Sequence, residues 1–204
     1  MGLFYRGEIF DLFVSFFTIS LAFSLFAINF GNYQLIPIIF LAVGLGFVVH
    51  ELSHRFVAIH FGCHAFYKAW TMGLVFALMM AVITGGRFIF AAPGAVYIYK
   101  ANLTRREDGI ISLAGPFSNF VLSILFVFLY VLLPQIAFIK ALASWGFTIN
   151  IFLGLFNLLP IPPLDGSKVA AWSFKVWAVV FITMLLFNFW LGFGCAVELV
   201  RSLL

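Results

Sequence analysis

Two histidines four residues apart, His50 and His54, flank a glutamate, Glu51, in the run GFVVHELSHRFVAIHF. On a helix that spacing advances the second side chain by one turn and rotates it by about 40°, so both imidazoles project the same way. Two ring nitrogens on one face can reach a single Zn²⁺, and a glutamate next to the first can contact the metal's water. Zinc lowers the pKa of such a water toward ~7, and the glutamate takes its proton. The bland alternative is a pair of polar residues bonded to neighbouring helices. Against it, the chain holds only four histidines, and two of them stand in this spacing.

Catalytic zinc normally has three protein ligands and an open position. Candidates for the third ligand are His60, Cys63, His64 and Asp165. His60 lies six residues past His54, a spacing that serves as a ligand where a glycine turns the chain back. Here Val57 occupies that place, so the helix is expected to continue and leave His60 about 120° off the ligand face. His60 and His64 read instead as interfacial residues. Asp165 lies in FNLLPIPPLDGSK, where the proline cluster breaks a helix and lets a carboxylate fold back to line a polar cavity. Its alternative role is an N-cap for a helix from 167 onward.

The rest of the chain must place these groups in a membrane. Its 204 residues are 65% hydrophobic, 20% aromatic and 9% charged, against the ~25% charged of soluble domains. A soluble domain, a disordered chain and a fibrous repeat are excluded, which leaves an all-α polytopic membrane protein. The net charge of +4 comes from scattered Lys and Arg, so no nucleic-acid face is expected. Cys63 and Cys195 suggest no disulfide framework. The N-terminal apolar stretch is too long for a signal h-region and reads as an uncleaved first span.

Residues 1–204 read as one membrane-embedded domain of five to six transmembrane helices. Spans are expected at about 9–30, 36–61, 110–133, 141–159 and 169–204, the last as one span or as two short ones broken near Gly192 and Gly194. Residues 63–109 differ. Gly73 to Thr84 is apolar but too short to cross, and Phe88 to Tyr99 is rich in β-branched and aromatic residues. This segment reads as a small β-rich or re-entrant insert against the bilayer. It carries five basic residues, whereas the connections 31–35 and 134–140 carry none and one. The positive-inside rule therefore puts the insert and, with Arg6, the N-terminus on the cytoplasmic side of a multi-pass cell-membrane protein. Span two then descends to the same side as span four, which favours Asp165 as the third ligand. Within spans, an acid costs several kcal/mol unless it faces a partner or cavity, so Glu51 and Asp165 read as functional.

HELSH at 50–54, G-P-x-x-N at 115–119 and N-x-x-P-x-P-x-L-D-G at 157–166, in this order, resemble the site-2 protease family of intramembrane zinc metalloproteases. The resemblance covers roughly residues 36–170 and implies one Zn²⁺ held by His50, His54 and Asp165, with Glu51 as general base. It implies that Asn119 helps hold the substrate backbone or polarise its carbonyl; its alternative is an interhelical hydrogen bond. The substrate would be a transmembrane protein, cleaved within or near its span. Its helix must unwind locally, by adding as an extended strand to an edge in 63–109. The family usually has Gly where this chain has Ser53, a small-for-small change. The insert leaves no room for a PDZ domain, so substrate selection through one is not expected. A transporter could use embedded acids and broken helices, but that class gives no reason for the H-E-x-x-H spacing. A catalytically inactive binding or scaffold relative would have no need for the complete set of ligands and glutamate. A di-iron membrane oxygenase needs more histidines than four. A resemblance to prenyl-protein endopeptidases would call on a downstream glutamate, for which only Glu198 is present.

Overall fold

A computed structural model describes residues 6–89 and 93–203, with side chains through 191. Seven helices and two strands run in the order α1 (Glu8–Asn29), α2 (Ile36–His60), β1 (His64–Ala69), α3 (Thr71–Thr84), β2 (Gly94–Tyr99), α4 (Arg105–Leu132), α5 (Ala137–Asn157), α6 (Asp165–Trp172) and α7 (Phe174–Leu203). Helices α1, α2, α4, α5 and α7 are long and apolar enough to cross a bilayer. This is a polytopic helical membrane protein with a small two-stranded sheet.

Turn chemistry sets the boundaries. After α1, Gly31 at φ 70° closes the helix, with the Asn32 N–H donating back to the Ala27 carbonyl at 2.9 Å. Pro37 opens α2, where a missing N–H costs nothing. Helix α4 begins with a capping box: Thr104 and Glu107 bond each other's backbone N–H. That start lies five residues before the expected one, and α5 likewise begins four residues early, at Ala137. The stretch 169–204 resolves into the end of α6 and one long helix, α7, which continues through 192 and 194. Cys195 and Glu198 have side chains outside the described residues.

The insert corrects part of the sequence reading. Residues 71–84 form a helix, because a continuous apolar run lacks the period-2 pattern that would mark a strand. The expected strand at Phe88 to Tyr99 is confined to Gly94–Tyr99, and residues 90–92 lie outside the described part. Its antiparallel partner is β1, with Tyr67 opposite Val96 and Ala65 opposite Ile98. Residues 64–69 gave no strand signal of their own.

Two cores hold the bundle. One joins α1, α2 and α5 around Ile39, Val43, Phe47 and Ile149, and reaches Tyr67 of β1; the other joins α4, α5 and α7 around Phe147, Ile151 and Met184. A buried clasp ties the sheet to the first core. Glu8 Oε1 accepts the Tyr67 N–H at 3.0 Å and lies 3.0 Å from Arg55 Nε, the residue after His54. Asp11 accepts the Ala69 N–H, and the Tyr67 hydroxyl donates to Ser15 Oγ at 2.9 Å. Burial pushes the Tyr67 phenol well above its ordinary pKa, so it stays a donor.

Removing one partner of a buried ion pair leaves an uncompensated charge. Glu8→Ala is therefore expected to destabilise the detergent-solubilised protein by on the order of 3–5 kcal/mol. The Glu8→Leu, Arg55→Met double variant should lose much less. Thermal melts of the two variants check this, and a Glu8→Ala melt equal to wild type would contradict the clasp.

Candidate metal centre

Helix α2 presents His50 and His54 on one face, and the start of α6 brings Asp165 to them across 111 residues of chain. Asp165 Oδ2 lies 3.1 Å from His54 Nε2 and 3.3 Å from His50 Nε2, and the two Nε2 atoms are 3.0 Å apart. Among the described residues, these three form the group able to hold a metal ion. Four ligands around Zn²⁺ at ~2.0–2.1 Å in a tetrahedron stand ~3.3 Å from one another, so the observed triangle has the size of one face.

The protons decide what this triangle is. His54 Nδ1 is 2.7 Å from the Ile111 carbonyl, which can only accept, so Nδ1 carries the hydrogen. His50 Nδ1 is 2.6 Å from Asn119 Oδ1. The Asn119 amide nitrogen donates to the Gly46 carbonyl and to Asn150 Oδ1, each at 3.0 Å, which turns its oxygen toward the ring. Both Nε2 atoms therefore point lone pairs at each other and at a carboxylate oxygen. Three acceptors face one another in a buried place, an arrangement that repels unless a positive charge lies among them. A proton on one ring would satisfy one contact, whereas a divalent cation engages all three atoms. The donor set, two imidazoles and a carboxylate, suits zinc.

Local packing explains the motifs. A Cβ on Gly115 would collide with His54 Nε2 and His50 Nε2, so α4 must be bare where it passes the rings. Pro116 cannot donate to the Ser112 carbonyl, and the carbonyl of the neighbouring Ile111 accepts from His54. Three residues later Asn119 meets His50. At the other motif, a Cβ on Gly166 would strike the Leu158 carbonyl, so only glycine after Asp165 lets α6 fold back onto the end of α5. Trp177 anchors that loop by donating its indole N–H to the same carbonyl at 2.7 Å.

Glu51 is 7% exposed and opens into a cavity of about 330 Å³ with His50, His54 and Asp165. Its carboxylate forms no hydrogen bond or ion pair with another described residue. Lys68, Asn157, Lys168 and the β2 residues Gly94–Ile98 complete the cavity wall. Asn119 is fully buried behind His50, and its polar atoms are all engaged by protein groups. His60 and His64 are exposed at the end of α2 and the start of β1, outside the cluster, and Cys63 is buried against Ala58 and Ile111. Sequence reasoning missed Asn150, whose polar side chain on an apolar helix was a readable signal.

Comparison with known proteins finds relatives of the chain by sequence. The profile of peptidase family M50 matches residues 38–144 and 133–181. A protein of Methanocaldococcus jannaschii, provisionally named a zinc metalloprotease, is 40% identical over 193 residues, 92% of this chain and 97% of its own length. A Bacillus subtilis protein with the same kind of name is 30% identical over 67% of this chain and 68% of its own length. One from Mycolicibacterium smegmatis is 34% identical over 58% and 50%. No solved structure matches significantly. Residues 38–181 take in all three motifs, and the chain belongs to peptidase family M50, the site-2 protease family.

Proposed function

We propose that the chain is an intramembrane zinc endopeptidase that hydrolyses peptide bonds within or near the transmembrane segments of protein substrates. One Zn²⁺ per chain is held by His50, His54 and Asp165. The observation that carries this reading is the triangle of three facing acceptors beside a buried glutamate to which no described residue hydrogen-bonds. A transporter or a binding relative has no use for that combination, and family membership also weighs against both. When bound, the metal supplies Lewis acidity to the scissile carbonyl and to the attacking water.

The chain's own groups supply the rest. Glu51 takes the proton of the attacking water and delivers it to the leaving amine. The cavity sets Ile19, Phe47, Ile111 and Leu153 beside the polar groups, and this partly apolar lining weakens the screening of a charge developing on the carbonyl oxygen. The basic residues of the insert support a cytoplasmic position for the N-terminus and for the loops near the site.

A substrate helix hides its carbonyls in i→i−4 bonds and must be extended before attack. The edge of β2 supports strand addition as the means. Tyr67 and Ala69 donate their N–H groups to α1 carboxylates, so the Tyr67–Val96 and Ala65–Ile98 pairs are not the ones that exchange bonds within the sheet. The Val96 and Ile98 backbone groups therefore point outward, along the cavity.

Metal analysis of purified protein should find zinc near one per chain, lost in Asp165→Ala and retained in Glu51→Gln. Glu51→Gln should lower cleavage of a reconstituted single-span substrate by ~10²–10⁴-fold. Zinc kept at wild-type affinity in Asp165→Ala would overturn the ligand set. Val96→Pro or Ile98→Pro removes an outward N–H without breaking a β1–β2 bond. Either should abolish cleavage of the spanning substrate, and intact cleavage in both would sink the strand-addition step.

A further inference from the structure

The tautomer of His50 is decided two residues away. Asn119 can be oriented in two ways, and what selects between them is not His50 itself. The Gly46 carbonyl can only accept, so it demands the amide nitrogen. Asn150 Oδ1 demands the same nitrogen's second hydrogen. Asn150 is in turn fixed by the Gly146 carbonyl, one turn earlier on α5, which accepts its Nδ2–H at 2.8 Å. The chain of bonds runs from a carbonyl of α5 through Asn150 and Asn119 to the His50 ring. Both asparagines are fully buried, so water cannot replace either bond.

We propose that Asn150 is a positioning residue for the metal centre. Through Asn119 it holds His50 with the proton on Nδ1 and the lone pair on Nε2. The inference rests on the metalloprotease reading and adds a residue outside its three motifs. The fold makes dedicated room for it: a Cβ on Gly46 would come within 2.8 Å of Asn150 Oδ1 and 3.3 Å of its Nδ2. If Asn150 were lost, the Gly46 carbonyl alone would orient Asn119, and the second Asn119 N–H would be left unpaired in a buried place, so the Asn119 oxygen would be held against His50 Nδ1 less firmly. Partners of this kind, behind a metal-binding histidine, typically contribute 10–100-fold in metal affinity.

The test measures zinc affinity of the full-length protein in detergent by chelator competition. Asn150→Leu fills similar volume but offers no acceptor to Asn119, and should weaken zinc by ~10–100-fold. Asn150→Asp, neutral in so buried a place, keeps an oxygen facing Asn119 and an O–H for the Gly146 carbonyl, and should restore most of the affinity. Ser123→Ala removes a buried hydroxyl on α4 outside the chain of bonds and should bind zinc as wild type does. Wild-type affinity in Asn150→Leu overturns the role of Asn150. So does an Asn150→Asp variant as weak as Asn150→Leu, since packing alone would then explain the loss. Wild-type protein that binds no zinc overturns the metalloprotease reading itself, a separate result.

Discussion

Acceptors do not crowd together in a largely buried pocket without a positive charge among them, and this fold brings three together. Two imidazole lone pairs and a carboxylate oxygen stand 3.0 to 3.3 Å apart inside a bundle whose charged residues are few. Much of the architecture serves to hold that unfavourable meeting in place. Helix α2 supplies two of the acceptors and α4 fixes their protons. The break after α5 lets α6 deliver the third. Backbone carbonyls of Ile111 and Gly46 act as the reference points, because a carbonyl has only one role in a hydrogen bond.

Close approach makes the arrangement possible. Gly115 and Gly166 each stand where a single added carbon would collide, one with imidazoles and the other with backbone. Without a hydrophobic driving force between helices in lipid, small residues and interhelical hydrogen bonds carry the association. Here the same devices also shape the site. The clasp of Glu8, Arg55 and Tyr67 extends the logic to the insert. It binds the inner edge of the sheet to α1 and leaves the outer edge along the cavity.

Much of this was legible in the chain itself. Apolar runs marked five spanning helices because lipid demands continuous hydrophobicity, and Glu51 and Asp165 stood out where acids are scarce. The spacing of His50 and His54 encoded their shared face. Helix ends were less legible: a capping box at Thr104 and Glu107 starts α4 before its apolar run, and α5 takes in Ala137, Phe138 and Ile139 across the charge of Lys140. Residues 63–109 read as a β-rich or re-entrant insert without the helix at 71–84 or the strand at 64–69 being singled out, since short apolar segments carry little periodicity and strand β1 is defined by its partner. Glu8 stands just before the first apolar run, and only tertiary contact with Arg55 and Tyr67 makes it a buried clasp. Asn119 was visible as a polar residue in a span. Its direction was not, because which way an amide faces depends on carbonyls contributed by other helices.

X-ray absorption at the zinc edge on the purified wild-type protein tests the central claim most directly. Two imidazole ligands with the remaining scatterers oxygen, all at ~2.0–2.1 Å, are what His50, His54 and Asp165 together provide. A sulfur ligand at ~2.3 Å, or an imidazole count other than two, would contradict the assigned site.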